Sequence, residues 1–351
     1  MNSKLKNIAD SDEVFIIAEI GSNHNGSYEK AVELLKKAVD VGVDAVKFQI
    51  YRAERKILKT APPFPSVEKI ANTQYERWKS LEFTNEQWFK LSEIACSLGL
   101  VFVATVCDNE TVDDLDPAVV VYKIPSGDLS NPHLIEHIAS KEKPVIVSTG
   151  MSTIDEIDQA VSLVQKDRLI LLHCMASYPT DISDTNLVNI DYLANKYGVT
   201  VGYSDHTLGI VVPAAAVAYG ARVIEKHFTD DKSQPYGDHA ISAEPEELKQ
   251  MVSLIKEISS MAGVPRKKVY YCEEVFCANR QRGLYANTDI LAGSKLEKSM
   301  VIPLIPLNES IPASDLYKIL GKKIVSSIAA GEPLKYELLE SSDNNTYREL
   351  I

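Results

Sequence analysis

Positive charge is in short supply in this 351-residue sequence: 37 Lys and Arg stand against 49 Asp and Glu, a formal net charge of −12. That deficit speaks against a surface built for nucleic-acid phosphates or anionic lipid, so neither partner is expected. It also makes every lysine or arginine in a pocket-forming position informative, because an anionic ligand would have to be held by a few placed cations. Cysteine is scarce too. Cys96, Cys107, Cys174, Cys272 and Cys277 form no even framework and no C-x-x-C pair. This excludes a disulfide scaffold and suits reduced thiols in a cytoplasmic protein. Long apolar runs are missing: the longest mostly apolar stretch, 210–219, is too short for a membrane span and carries Pro213. Residues 1–12 are polar with no apolar core, so no targeting segment is expected. An apolar fraction of 45% with 25% charged residues is that of an ordinary globular chain.

What is present is a repeat of short apolar runs and amphipathic stretches. The runs fall at 14–20, 45–50, 101–106, 119–124, 145–149, 169–174, 199–204 and 222–228, rich in β-branched residues as strands buried on both faces are. Helical patterns lie between them at 28–41, 86–98, 131–140, 154–165, 187–196 and 208–220, with a short one at 110–116 and a last one at 245–262. Asn85 is the expected cap of the second. Eight alternating units in about 250 residues predict an α/β fold, a (β/α)8 TIM barrel in preference to a doubly wound sheet. The one long connection, 51–84, contains Pro62, Pro63, Pro65 and Trp78 and is expected to form a lid or substrate wall. The predicted barrel domain is 1–267, followed by a linker at 268–281 and a small, mostly non-helical domain at 282–345. The polar tail 341–351 is expected to be loosely ordered.

In such a barrel the chemistry sits at the carboxyl ends of the strands. Strand one ends in Glu19 and strand two in Lys47 and Gln49. Strand three ends in Thr105, strand four in Lys123 with Ser126, Gly127 and Asp128 following, and strand five in Ser148 and Gly150. Strand six ends in His173-Cys174 and runs on to Tyr178, strand seven in Ser204-Asp205-His206, and strand eight in Glu225-Lys226-His227. One polar ending is unremarkable, but all eight argue for a single convergent site. Alternation puts Lys47 with Gln49, Ser204 with His206 and Glu225 with His227 on shared faces. Lys47 and Lys123 can reach a phosphate or carboxylate, or they pair with Glu19 and Glu225. Thr105, Ser126, Ser148 and Ser204 suit a phosphate cradle, or they are ordinary turn residues. His206 and His227 can share a divalent cation, or divide into one catalytic and one structural histidine. Glu19 and Glu225 are candidate acid–base groups, or ion partners of the lysines. His133 and His137 share a helix face but read as surface residues, and Cys272 and Cys277 lack partners at zinc spacing.

Ile17-Ala18-Glu19-Ile20-Gly21-Ser22-Asn23-His24-Asn25-Gly26, Lys47-Phe48-Gln49, Lys123-Ile124-Pro125-Ser126-Gly127-Asp128, Ser148-Thr149-Gly150-Met151, Tyr203-Ser204-Asp205-His206-Thr207 and Glu225-Lys226-His227-Phe228-Thr229 closely resemble the sialic acid synthase family, the N-acetylneuraminate, legionaminate and pseudaminate synthases. Residues 282–339, with Leu320-Gly321-Lys322 and Gly331-Glu332-Pro333-Leu334, resemble its C-terminal antifreeze-like (SAF) domain. The resemblance implies a transferase that condenses phosphoenolpyruvate with the open aldehyde form of an N-acetylated hexose, N-acetylmannosamine or a 2,4-diacetamido-trideoxyhexose. It implies that Lys47, Thr105, Lys123, Ser126, Ser148, Ser204 and His206 hold phosphoenolpyruvate. His206 and His227 would bind manganese or magnesium, and Gln49, Asp128, Tyr178 and Asp238 would line the sugar site. Glu19 would be the acid–base group with Glu225 supporting, and the protein would be a domain-swapped homodimer.

Three departures touch the substrate end. Sialate-type members carry an arginine in an Arg-Pro-Gly motif of the SAF domain, where this chain reads Pro303-Leu304-Ile305-Pro306-Leu307. Ala176 stands where many members have asparagine or serine, and Tyr236-Gly237-Asp238-His239 replaces the usual Gly-Pro-Asp. A 3-deoxy-2-ulosonate synthase acting on a sugar phosphate is the alternative, with Arg52 and Arg55 as the nearby extra cations. A non-catalytic carbohydrate-binding homologue is the reading from another class.

Overall fold

A computed structural model describes residues 13–64, 71–235, 237–261, 263 and 266–340. The tail 341–351, the first twelve residues and Pro65 lie outside them. The chain divides into two compact units, Met1–Gly263 and Val264–Ile351.

The first unit is a closed barrel of eight parallel strands: β1 (Phe15–Gly21), β2 (Ala45–Ile50), β3 (Val101–Val106), β4 (Val121–Ile124), β5 (Val145–Ser148), β6 (Leu169–Cys174), β7 (Thr200–Asp205) and β8 (Val223–His227). Pairing of β8 with β1, Val223 to Phe15 through His227 to Glu19, closes the ring. The crossovers carry α1 (Tyr28–Val41), α2 (Asn85–Ser97), α3 (Asn109–Leu115), α4 (Pro132–Ala139), α5 (Ile154–Ser162), α6 (Asn189–Tyr197) and α7 (Val211–Ala218), and α8 (Pro245–Met261) follows the last strand. The TIM barrel expected from the repeat is the fold. The cap of α2 differs from expectation. Thr84 takes the position: its Oγ1 accepts from the Gln87 amide at 3.2 Å while Gln87 Oε1 accepts from the Thr84 amide at 2.9 Å. This reciprocal box satisfies two amide donors at the helix start. Asn85 becomes the first helical residue, and its Oδ1 accepts from Arg52 at 2.5 Å.

Strand alternation sorts the side chains into two cores. Phe48, Phe102, Tyr122 and Tyr203 face outward into the layer between strands and helices. Ile17, Val103, Ile146 and Leu172 fill the barrel interior with Phe15, Val101 and Val121 below them. This apolar plug fills the barrel floor, and the carboxyl ends of the strands wall an open mouth above it. The long connection after β2 folds into two short helices, Ala53–Lys56 and Gln74–Lys79.

In the second unit β9 (Gly283–Ala286) pairs antiparallel with β10 (Val301–Leu304) around a core that includes Leu284, Ile290, Leu296, Ile311, Ile324 and Leu334. It has little helix, as expected. The stretch read as a linker is partly ordered as a helix, Glu274–Arg280.

Gly202 in β7 is closely enclosed by its neighbours. A Cβ there would lie 2.2 Å from the Val223 carbonyl oxygen and 2.7 Å from Leu172 Cδ2. Backbone cannot yield as a side-chain tip can, so Gly202→Ala is expected to destabilise by about 2 kcal/mol or more. Thermal unfolding followed by circular dichroism should show a fall in Tm of several degrees, and an unchanged Tm would contradict this packing.

Candidate active site

Four ionisable side chains meet at the open end of the barrel. Glu19 from β1, Lys47 from β2, Lys123 from β4 and Glu225 from β8 are all buried, each with no more than 4% of its surface exposed. Strand parity aims them inward, one layer above the apolar plug. Lys47 Nζ lies 2.9 Å from Glu19 Oε2 and 3.7 Å from Glu225 Oε2, and Lys123 Nζ lies 3.3 Å from Glu225 Oε1. Both readings of the lysines therefore hold in part: they do pair with the two carboxylates. Burying four charges to make such pairs is weak evidence of stabilisation, since desolvation consumes most of the Coulombic gain. The contrast is Lys226, which points out of the barrel and closes a pair with Asp205 Oδ2 at 2.6 Å and the Thr207 carbonyl at 2.5 Å.

The two carboxylates are driven apart in acidity. Burial raises Glu19 to about 7, with Lys47 opposing and the Glu225 charge adding to the rise. Burial pushes Glu225 the same way, but Lys123 and Lys47 together outweigh it and hold Glu225 near 2. Gln49 Nε2 donates to Glu19 Oε1 at 2.8 Å, and the Tyr51 hydroxyl donates to Gln49 Oε1 in turn, which fixes the amide. A bulge in the β1–β2 register between Glu19 and Gly21 re-aims the end of β1 at this point.

Hydroxyls surround the lysines. Lys47 Nζ donates to Thr105 Oγ1 at 3.3 Å, Ser204 Oγ donates to Glu225 Oε1 at 2.9 Å, and the Gly150 amide donates to Ser126 Oγ at 3.1 Å. A Cβ at Gly150 would lie 2.8 Å from Ser126 Oγ and 2.9 Å from Cys174 Sγ, so only glycine lets that amide approach. Ser148 Oγ is buried with no partner. Together these groups line a cavity of about 180 Å³ that also receives Gln49, Tyr178, His206 and His227.

The cavity adjoins a chamber of about 740 Å³, and Gln49, Tyr178 and His227 line both. Asp238 lines the chamber alone of the two. His206 and His227 have ring centroids 5.5 Å apart, and Tyr178 lies 4.1 Å from the His206 ring. His206 Nδ1 donates to the Met175 carbonyl at 2.7 Å, so its Nε2 carries the lone pair. His227 Nδ1 is buried without a hydrogen-bond partner, its nearest acid being Asp238 Oδ2 at 3.8 Å. Burial lowers the pKa of both rings, which keeps them neutral. No cluster of three or more metal-binding side chains occurs among the described residues. Two neutral imidazoles, one with an orphaned buried nitrogen, nevertheless fit a divalent cation completed by water or substrate oxygens.

Of the residues singled out from the sequence, Glu19, Lys47, Gln49, Thr105, Lys123, Ser126, Ser148, Tyr178, Ser204, His206, Glu225 and His227 share the inner cavity, and Asp238 lies in the outer chamber. Asp128 lines neither: its carboxylate stands 3.7 Å from Lys56 Nζ. Ala176 lines the inner cavity. The cations near the mouth also differ from expectation. Arg52 is spent on the Phe83 carbonyl and Asn85, and Arg55 on Asp108 and Glu110. Arg77, buried and lining the chamber, was missed, because a charged residue near the end of a proline-containing loop carries no periodic signal. His133 and His137 bind Asn109 and Asp113 of the neighbouring α3 and line neither the inner cavity nor the chamber.

Residues 34–267 match the NeuB family and residues 281–340 match the SAF domain. An N,N'-diacetyllegionaminic acid synthase of Legionella pneumophila is 40% identical over 93% of this chain and 95% of its own. A pseudaminic acid synthase of Campylobacter jejuni is 33% identical over 95% of this chain and 98% of its own. Among solved structures, the N-acetylneuraminic acid (sialic acid) synthetase of Leptospira borgpetersenii superposes with a TM-score of 0.68 at 35% identity, over 75% of this chain and 90% of that one. The motifs at the strand ends thus pointed to the right relatives: this chain belongs to the NeuB family of sialic-type acid synthases.

Proposed function

We propose that the protein condenses phosphoenolpyruvate with the open-chain aldehyde of an N-acetylated hexose, giving a nonulosonic acid and inorganic phosphate by C–O cleavage. The observation that carries this reading is the pairing of a small cavity walled by Lys47, Lys123 and hydroxyls with a wider chamber of mixed polar and apolar lining through a shared junction. The first suits a compact, highly charged acid, the second a sugar. Lys47 and Lys123 balance the phosphate and carboxylate charges, with Thr105, Ser126, Ser148 and Ser204 as further contacts. Gln49, Tyr178 and Asp238 face the acceptor. With Glu19 near neutrality at physiological pH, the square of charged groups carries a surplus of positive charge before phosphoenolpyruvate enters.

Carbon C3 of phosphoenolpyruvate bonds to the aldehyde carbon, and C2 takes up the hydroxyl of a water whose proton passes to Glu19. That proton then serves the new alkoxide. The C2–O bond to phosphorus breaks, the C2 hydroxyl proton leaves with phosphate, and a ketone remains. Glu225, held ionised by both lysines, positions them and accepts from Ser204. A divalent cation, manganese or magnesium, held on His206 and His227 would supply Lewis-acid polarisation of the acceptor carbonyl. We extend the proposal to a homodimer working in the cytoplasm, supported by the family resemblance. Among the described residues no helix is long and apolar enough to cross a membrane.

Phosphate release from phosphoenolpyruvate is expected with N-acetylmannosamine or a 2,4-diacetamido-trideoxyhexose and absent without acceptor. Release with no acceptor of either type would end the proposal. Chelation, or His206→Ala, should lower turnover at least about 100-fold; full activity in both would remove the metal from the reading.

Because Glu19 must be ionised to take the proton, kcat/KM should rise with pH through about 7, and Glu19→Gln should lose about 100- to 10,000-fold and flatten that limb. The linkage has the opposite sign. A carboxyl raised from its ordinary 4.5 to about 7 binds its proton more tightly in the folded state, so its stabilising contribution is full below 4.5 and lost as pH climbs through 7. The Tm of Glu19→Gln relative to the parent should therefore increase from pH 5 to pH 8.

A further inference from the structure

Most outward-facing side chains of β7 and β8 are apolar or aromatic. Val201, Tyr203, Ile224 and, just past β8, Phe228 belong to the core between strands and helices. Asp205 and Lys226 break that pattern. Alternation turns both to the same layer, where they are 0% and 1% exposed, and they stand opposite one another in the β7–β8 register. Their charges play no part in the chemistry proposed above. Lys226 Nζ donates to Asp205 Oδ2 at 2.6 Å and to the Thr207 carbonyl at 2.5 Å. Asp205 Oδ1 accepts from the Thr207 amide at 3.1 Å and from its hydroxyl at 2.9 Å. A buried pair of this kind adds little net stability, because desolvating two charges offsets their attraction. What a satisfied buried network does supply is a fixed position for the groups it bonds.

Here that position is the peptide around His206. β7 ends at Asp205, and Asp205–Lys226 is the last pair of its register with β8, so His206 stands one residue past the ladder. His227 lies within β8 and is paired with Glu19 of β1. On the β6 side His206 is tied twice: its carbonyl accepts from the Thr180 amide at 3.0 Å, and its Nδ1 donates to the Met175 carbonyl at 2.7 Å. On the β8 side the Lys226 ammonium takes over where the ladder stops. It bonds the residue after His206 and, through Asp205, the residue before it. Lys226 itself directly precedes His227. The two imidazoles, with centroids 5.5 Å apart, thus stand on backbone segments joined by one side chain on the far face of the strands.

We propose that Lys226 is a positioning residue for the divalent-cation site: its ammonium, anchored on Asp205, holds the Thr207 peptide and so fixes His206 against His227. The assignment rests on the cation reading proposed above. It gives this ion pair, which touches neither cavity, a task in the site that faces the other way.

The test is manganese binding by the full-length protein without substrates, followed by the loss of the free-ion electron paramagnetic resonance signal. Asp205→Asn combined with Lys226→Met removes both charges together, so no buried charge is left alone. It keeps a side-chain acceptor for the Thr207 amide and takes the ammonium from the Thr207 carbonyl. This double variant should bind manganese about 10- to 100-fold more weakly. At saturating manganese, electron spin-echo modulation should count one coordinated imidazole nitrogen where the parent shows two. Parent-like affinity with two nitrogens would overturn the assignment and leave the pair a structural one, whatever the change in Tm. Should the double variant not fold, Asp205→Asn alone loses the anchor but keeps the bond to Thr207, and a loss of about 3- to 10-fold is expected, the scale of one hydrogen bond. Unchanged affinity there would equally overturn it. His206→Ala separates this assignment from the reading beneath it. If His206→Ala binds manganese as the parent does, or the parent binds none, the cation reading falls and the assignment with it. If His206→Ala loses manganese and the double variant does not, the cation reading stands and the assignment alone falls.

Discussion

Everything at the mouth of this barrel depends on the buried contact between two lysines and two glutamates. Lys47 lies between Glu19 and Glu225, and Lys123 holds Glu225 from the other side. The arrangement is unequal: Glu225 has two cations and a hydroxyl, while Glu19 has one cation and an amide. Equal desolvation therefore produces opposite outcomes, one carboxylate ionised at any working pH and one poised near neutrality. Two acids in one cavity are thereby held in different protonation states. The apolar plug beneath makes this possible, because it excludes water from below and leaves the four groups to one another.

The barrel was legible in the sequence because its signal is periodic. Strands buried on both faces read as runs of β-branched residues, and their ends were located to within two residues by the polar residues that terminate them. The inner site was legible for the same reason. Once a strand is placed, alternation decides that Lys47 and Gln49 face one way and Phe48 the other, and the same argument separates Glu225 and His227 from Lys226. What parity cannot decide is who pairs with whom. Lys123 reaches across the barrel to Glu225, a choice made by side-chain length and the diameter of the ring, neither of which is local in sequence. The cap of α2 was misplaced by one residue because Thr84 and Asn85 are both good cap residues, and only the reciprocal bond with Gln87 chooses between them.

The outer chamber was far less legible. Its walls come from the loops after β1, β2, β6 and β8, where no period marks which side chains turn inward. Arg52 and Arg55 stand closer in sequence to the end of β2 than Arg77 does, yet both are drawn to backbone carbonyls and acidic partners nearby. Arg77 is carried back over the mouth by a one-and-a-half-turn helix that the sequence pattern did not reveal. Asp128 was expected at the sugar from the family motif; it sits in the 3-10 turn Ser126–Asp128 with its carboxylate beside Lys56.

This division has a physical logic. Most groups that line the inner cavity sit on strands, where eight-fold register holds each to its neighbours and a displacement must move the whole ring. The outer chamber is walled mostly by loops, where a change of residue or length leaves the barrel undisturbed. Of the departures from the sialate-type pattern, Ala176 and Gly237–His239 fall off the barrel strands, Pro303 and Leu304 of the C-terminal stretch lie on β10, and Tyr236 lies outside the described residues. A chain can thus keep Lys47, Lys123, Glu19 and Glu225 in one geometry while the loops that wall the outer chamber vary around it.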